Sequence, residues 1–228
     1  MARLRAAGSV FAEDEAALLA GDEALLARRI AGERLEHVLG WAEFAGLRLE
    51  VDPGVFIPRP QTEALADHAA ALAPRVALDL FAGCGAIAAV VKAHNPGARV
   101  VAGELEPAAL ECARRNGARF GFEVVASDVD AGVPAELARQ VDVLTANVPY
   151  VPSGELRFVP HDGEPAQALD GGADGLDWVR RVAAAAPRWL RPGGVLLVEI
   201  ADDAEPLALP GFDVSSPCER VLSAALRG

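Results

Sequence analysis

The chain has 228 residues, enough for one α/β domain with a small appendage, and a chain of this size buries roughly 70–75% of its unfolded surface. Its apolar content is 52%, yet no run of about 18 apolar residues lacks a charge or breaker, and the basic start Met1-Ala2-Arg3-Leu4-Arg5 soon meets Glu13, Asp14 and Glu15; both facts argue against a membrane span or a secretory leader. A net charge of −12 with Lys92 as the only lysine argues against direct binding to a nucleic-acid backbone, which needs a basic face.

In chain order, the stretch from Phe11 to Ile30 is predicted helical and broken at Gly21-Asp22, with Asp22 as the second N-cap and Gly32 as the stop. Leu35 to Val51 alternates loosely around Gly40 and Gly46 and reads as a hairpin or irregular strands. Pro58 and Pro60 hold an extended segment, after which Thr62 is predicted to cap a helix reaching about Leu72. From Val76 the pattern alternates. Val76–Leu80, Ala98–Gly103, Phe122–Ala126, Val141–Thr145 and Val195–Ile200 are predicted strands. Ala86–Ala93, a helix opened by Pro107 and closed by Gly117, and Leu176–Leu190 are predicted helices between them. Two further strand-like runs, Phe212-Asp213-Val214 and Arg220-Val221-Leu222, follow. The succession predicts an α/β fold with a doubly wound, mostly parallel sheet over residues 51–228, and a small helical and hairpin appendage over residues 1–50.

Ligands of such sheets sit beyond the carboxyl ends of the strands. Asn147-Val148-Pro149-Tyr150 follows a predicted buried strand and so stands at that mouth. The Asn147 side chain and the Val148 backbone each offer a carbonyl oxygen, Pro149 biases Val148 towards extended backbone, and Tyr150 adds a flat wall. Such a site can hold a planar –NH2 by both hydrogens; a plain strand-ending turn is the competing reading, since Asn and Pro are ordinary turn residues. The cofactor signal lies upstream. Asp79-Leu80-Phe81-Ala82-Gly83-Cys84-Gly85 is a glycine turn between strand and helix, and Glu104 ends the next strand nineteen residues past Gly85, where an acid can bond ribose hydroxyls. Asp128 ends the third strand, where an acid can bond an adenine amino group. Ala88 stands where a dinucleotide turn has its third glycine. Asp79 together with Asn147 favours S-adenosyl-L-methionine, because an acid at 79 can reach the amino group of a methionine-type cofactor.

The segments Asp79–Gly85, Glu104, Asp128 and Asn147–Tyr150 resemble the motifs of class I S-adenosylmethionine-dependent methyltransferases, and more narrowly those of the protein N5-glutamine methyltransferases of peptide chain release factors. Gly54–Glu63, with Phe56-Ile57-Pro58-Arg59-Pro60-Gln61-Thr62, is similar to that family's proline-arginine segment, and Gly32–Gly40 with Phe44 to the stretch before it. Glu164-Pro165, Ala168–Gly172 and Asp174–Asp177 are similar to the loop after its catalytic motif, so the likeness covers most of residues 28 to 200. The resemblance implies a Rossmann-like methyltransferase sheet. It further implies a catalytic motif of Asn147, Val148, Pro149 and Tyr150. The cofactor set would be Asp79, Phe81, Ala82, Gly83, Cys84, Gly85, Glu104, Leu105, Asp128, Val129 and Asn147 with Arg59 and Thr62, and no metal is implied. It implies a protein or peptide partner presenting a glutamine amide, such as a release factor. Five positions depart from the family: Val148 for its second-position proline, Phe81 for its first turn glycine, Glu104 for the usual Asp, which would carry the carboxylate outwards, Gln61 for an acid, and Val129 where an aromatic often flanks adenine.

The expected chemistry is transfer of a methyl group to an amide nitrogen, with Asn147 and Val148 accepting both N–H bonds as positive charge grows there and no obligatory general base. The alternatives are N-methylation of a peptide or small molecule, N-methylation of a nucleic-acid base amino group, or a scaffold that binds the cofactor without catalysis. The three cysteines Cys84, Cys112 and Cys218 show neither zinc spacing nor a disulfide framework and suit a reducing cytoplasm, with Cys84 read as a small turn residue. His37, His68, His94 and His161 read as surface or loop residues, His161 being the one placed to cover a substrate, and Trp178 and Trp189 read as core.

Overall fold

A computed structural model describes residues 1–158, 164–201 and 208–227. Four helices open the chain: α1 Ala2–Ala6, α2 Ala12–Leu18, α3 Glu23–Ile30 and α4 Leu35–Leu39. Asp22 caps α3 as predicted, its carboxylate accepting the N–H groups of Ala24 and Leu25 at 2.8 and 3.1 Å. The helix α4 departs from the expected strand. Its residues Leu-Glu-His-Val-Leu lack a period-2 pattern, and Gly40 ends it at φ 77°. His37 on α4 is buried, not a surface residue, because its Nε2 bonds the Val55 carbonyl at 2.8 Å. The hairpin begins only after Gly40, with β1 Trp41–Phe44 antiparallel to β2 Leu47–Glu50.

Leu4, Ala12, Leu19 and Val38 make a small core of their own. The hairpin instead joins the main core, where Phe44 and Leu49 meet Leu65 and Ala66 of α5 Glu63–Ala71. The main sheet then follows as β3 Val76–Leu80, α6 Ala86–His94, β4 Arg99–Glu104, α7 Pro107–Phe120, β5 Glu123–Ala126, β6 Val141–Ala146, α8 Asp177–Trp189, β7 Leu190–Glu199, β8 Phe212–Cys218 and β9 Val221–Leu226. Strand order is β5-β4-β3-β6-β7-β9-β8, with β5 through β7 parallel and β9 antiparallel to both its neighbours. Successive residues alternate between two cores: Val143 and Leu197 face α5 and α6, while Leu144 and Leu196 face α8. Burial on both faces is why these strands read as unbroken apolar runs. The order reverses between β4 and β6 around β3, so the switch point, where such folds bind ligands, lies at the carboxyl ends of β3 and β6.

Gly117 does not close α7, as its sequence suggests. The helix runs on to Phe120 and is stopped by Gly121 at φ 89°. Gly117 is required for close packing: a Cβ there would come within 2.7 Å of the Phe122 carbonyl oxygen. One residue earlier, fully buried Asn116 fastens three segments together. Its Oδ1 accepts the Glu50 N–H at 2.9 Å, and its Nδ2 donates to the carbonyls of Glu50 at 3.0 Å and Cys84 at 2.8 Å. An Asn116→Ala variant should lose roughly 2–4 kcal/mol, because it strands buried backbone groups of both the hairpin and the glycine turn; urea denaturation measures it, and an unchanged midpoint would refute that role.

Candidate active site

The turn after β3 places Phe81, Gly83 and Gly85 at φ 56, 57 and 84°. Gly85 is forced by packing, since a Cβ would stand 2.6 Å from the Phe122 ring. Gly83 has no heavy atom within 4 Å of such a Cβ, so its side of the turn is an open cradle. Cys84 is buried, its thiol pushed well up in pKa by that burial, and its carbonyl serves Asn116; it is a packing residue of the turn.

Glu104 folds inward rather than outward. Its Oε2 accepts the Gly83 N–H at 2.7 Å, and its Oε1 accepts those of Leu105 and Glu106 at 2.7 and 2.9 Å. The extra methylene over Asp lets the carboxylate reach from β4 across to the turn after β3. Burial raises its pKa, and the three backbone N–H groups oppose that rise. The structure brings Phe81, Glu104, Leu105, Asp128 and Val129 around one cleft, completed by Gly103, Ser127 and Trp178. Asp128 pairs with Arg181 of α8 at 3.3 Å. Asp79 lies beneath the turn, 2% exposed, with Oδ1 accepting the Thr145 hydroxyl at 2.7 Å and Oδ2 the Ala88 N–H at 3.2 Å. Burial raises its pKa to about 7.

At the carboxyl end of β6, Asn147 donates through Nδ2 to the Thr62 hydroxyl at 3.2 Å. Thr62 stands at the N-cap of α5, as the sequence suggests, but its side chain makes no cap hydrogen bond. It ends a 3-10 turn, Pro60–Thr62, in helical backbone, and its buried hydroxyl accepts from Asn147 instead. With one Nδ2 hydrogen given to Thr62, Oδ1 is the acceptor atom of Asn147 that this bond leaves open to a donor. Val148 and Pro149 are buried and Tyr150 is half-buried. The Tyr150 hydroxyl accepts from Arg220 Nη2 at 3.2 Å. Burial, then the nearby charge of Glu199, pushes the Tyr150 phenol up in pKa. The following loop packs directly on this motif: a Cβ at Gly175 would meet the Tyr150 carbonyl oxygen at 2.4 Å, and one at Gly171 the Tyr150 Cα at 2.8 Å.

Arg59 is placed on Glu164, outside the cleft of Glu104 and Asp128. The pair is buried on the carboxylate side, and Glu164 also accepts the Ile57 N–H at 2.8 Å. This stitches the proline-arginine segment to the loop after Asn147–Tyr150. Of the two tryptophans read as core, Trp189 is fully buried, but Trp178 is half-buried on the cleft wall. The buried stripe Val179, Val182, Ala186 and Trp189 has helical spacing, and Trp178 sits one position ahead of it at its edge. Arg220 carries no signal in the sequence; only the antiparallel β9 delivers it. His161 lies outside the described residues. No group of His, Cys, Asp or Glu able to hold a metal occurs among the described residues, and no helix among them is long and apolar enough to cross a membrane.

A parallel sheet with one reversed strand, a glycine turn at its switch point and Asn-Val-Pro-Tyr on the neighbouring strand define a class I methyltransferase. The profile of the Methyltransferase small domain matches residues 47–159. A release factor glutamine methyltransferase of Mycolicibacterium smegmatis is 46% identical over 199 residues, 85% of this chain and 71% of the relative. A 4-amino-L-phenylalanine/4-methylamino-L-phenylalanine methyltransferase of Streptomyces pristinaespiralis is 39% identical over 184 residues, 75% of this chain and 62% of the relative. The solved structure of a methyltransferase from Pyrococcus furiosus shares the fold, with a TM-score of 0.57 at 20% identity over 89% of this chain and 98% of that one. The chain belongs to the release factor glutamine methyltransferase family.

Asp79 gives this site a pH signature. Its carboxyl rises from 3.8 to about 7 on folding, so its contribution to stability is full below pH 3.8 and is lost as pH rises through about 7. Relative to an Asp79→Asn variant, the wild type should therefore lose stability across that window, by up to about 1.4 kcal/mol per pH unit. Chemical denaturation of both proteins at several pH values checks this; parallel curves would count against it.

Proposed function

We propose that this enzyme transfers a methyl group from S-adenosyl-L-methionine to the side-chain amide nitrogen of a glutamine in a peptide chain release factor. The observation that carries the reading is the Thr62–Asn147 hydrogen bond at 3.2 Å, which turns the donor end of Asn147 towards Thr62 and leaves its acceptor end for a substrate –NH2. The cleft residues suit the cofactor by their chemistry: an open glycine cradle at Gly83, a carboxylate at Glu104 for ribose hydroxyls, and a carboxylate at Asp128 for an amino group. Bound there, S-adenosyl-L-methionine supplies a methyl group on a positively charged sulfur.

The chain's own residues do the rest. An amide nitrogen is a weak nucleophile, because its lone pair is delocalised into the carbonyl. Asn147 Oδ1 and the Val148 carbonyl accept its two N–H bonds, orient the lone pair, and bind more strongly as positive charge develops. Tyr150, its hydroxyl bonded to Arg220, presents its ring as a wall that positions the amide. The nitrogen sheds its proton to water once methylated, so no side chain is assigned as a base. The helices and hairpin of residues 1–50 serve as a docking segment for the protein substrate, in a cytoplasmic setting.

A second reading has one specific support. The Streptomyces relative named for an aromatic amine shows 39% identity, and two acceptor oxygens serve any flat –NH2. Mass spectrometry of a release factor and of a free aromatic amine, each incubated with enzyme and cofactor, separates the two: a methylated glutamine supports the first, a methylated amine alone the second.

Asn147→Ala should lower kcat by at least about 100-fold while changing cofactor affinity by less than about threefold. Thr62→Val, which frees the Asn147 amide to rotate, should cost roughly 10-fold in kcat with KM for the cofactor unchanged. Steady-state kinetics with calorimetric titration of cofactor measures both; full turnover in the Asn147 variant would remove it from the mechanism.

A further inference from the structure

Val129 is held in a conformation that its side chain opposes. Its φ is 51°, and among the described residues it is the only β-branched residue with a positive φ. A branched Cβ crowds the backbone there, so glycine or asparagine is the ordinary occupant. Such a residue persists only where its surroundings over-determine it. Packing is one reason for a valine at this position: its side chain is 8% exposed and belongs to the core that α8 covers. The backbone is fixed by Ser127. Its buried hydroxyl donates to the Val129 carbonyl at 2.8 Å and accepts the Gly132 N–H at 3.0 Å. Gly132 is required for that closure, since a Cβ there would stand 1.9 Å from the Ala126 carbonyl oxygen. Farther along, Asp130 accepts the indole N–H of fully buried Trp189 at 2.8 Å.

Between buried Ser127 and buried Val129, Asp128 is exposed on the cleft. It opens a four-residue turn, closed by the Ala131 N–H on the Asp128 carbonyl at 3.0 Å, with Val129 as the second residue. The sign of φ at that position sets the hand of the turn. Were Val129 to relax to negative φ, the peptide group joining it to Asp128 would turn and carry the carboxylate off the cleft. The Arg181 contact at 3.3 Å does not hold it, because both partners are exposed and such pairs are weak in water.

We propose that Ser127 is a positioning residue for cofactor recognition: by locking Val129 in left-handed backbone, it keeps the Asp128 carboxylate aimed at the exocyclic amino group of the purine. The inference rests on the reading above that Asp128 accepts from that amino group. Ser127 touches no cofactor atom in this account and acts only through the backbone of its two successors. The strain at Val129 is the cost of combining two demands on one residue, a side chain in the core and a turn of the hand that glycine prefers.

The test compares S-adenosylhomocysteine with S-inosylhomocysteine, which carries an oxygen in place of the amino group, by calorimetric titration of the full chain. The wild type should prefer the adenosyl compound about 10-fold or more, the effect of one hydrogen bond to a carboxylate. Ser127→Ala should cut that preference to about threefold or less, through weaker binding of the adenosyl compound alone. Adding Val129→Gly, which takes positive φ freely, should restore a preference of about fivefold or more. A general loosening of the fold would weaken both ligands alike, and glycine would not mend it. An undiminished preference in Ser127→Ala, or no recovery in the double variant, would overturn this role for Ser127 while leaving Asp128 as the purine acid. No preference in the wild type would overturn the assignment of Asp128 as well. Circular dichroism melts check each fold. If Ser127→Ala melts below the assay temperature, a folded double variant with its preference restored supports the role, and an unfolded one overturns it.

Discussion

The site is held together by one hydrogen bond between segments eighty-five residues apart, from Asn147 Nδ2 to the Thr62 hydroxyl. Parallel sheets bring strand ends to a common rim, but they do not orient the side chains there. Asn147 needs that orientation, because its two ends have opposite hydrogen-bonding character. Thr62 can supply it only if its own backbone is fixed. Pro58 and Pro60 restrict the segment leading to it, and Glu164 grips that segment through the Ile57 N–H and Arg59. The loop that carries Glu164 is in turn packed on Tyr150 through Gly171 and Gly175. The Asn147–Tyr150 segment therefore lies inside a closed ring of contacts, in which each member constrains the next.

The three acids of the rim share a sequence pattern but have different physical fates. Asp79 is buried beneath the turn and spends both oxygens on Thr145 and the start of α6. Glu104 uses its length to tie the glycine turn to β4. Asp128 is the most exposed of them and pairs loosely with Arg181, a contact worth little in water. The set thus grades from structural to available, and the available member lies farthest from the sheet's centre.

Much of this was legible before any coordinates. Apolar runs buried on both faces announced the parallel strands, and the glycine turn, Glu104, Asp128 and Asn147–Tyr150 fell at strand ends, where the fold concentrates ligands. The misreadings have common causes. Leu35–Leu39 is too short for its periodicity to be informative, and Gly117 looked like a stop because its real use, close approach to the Phe122 carbonyl, is a tertiary fact. Trp178 was read as core, a role the local sequence supports equally well, and Thr62, correctly placed at the head of α5, spends its hydroxyl on Asn147, a tertiary contact no local pattern shows. Arg220 was invisible, because its neighbourhood depends on an antiparallel strand inserted between β7 and β8.

That inserted strand has a bearing on biosynthesis. Arg220, in the turn just before β9, is what holds the hydroxyl of Tyr150 seventy positions upstream. Chains emerge from the ribosome N-terminus first, and the glycine turn and the Asn-Val-Pro-Tyr segment are both made well before residue 220. A nascent chain can assemble the turn after β3 and the Asn147–Tyr150 segment while still tethered, but the tyrosine lacks its anchor until β8 and β9 are released and threaded into the sheet.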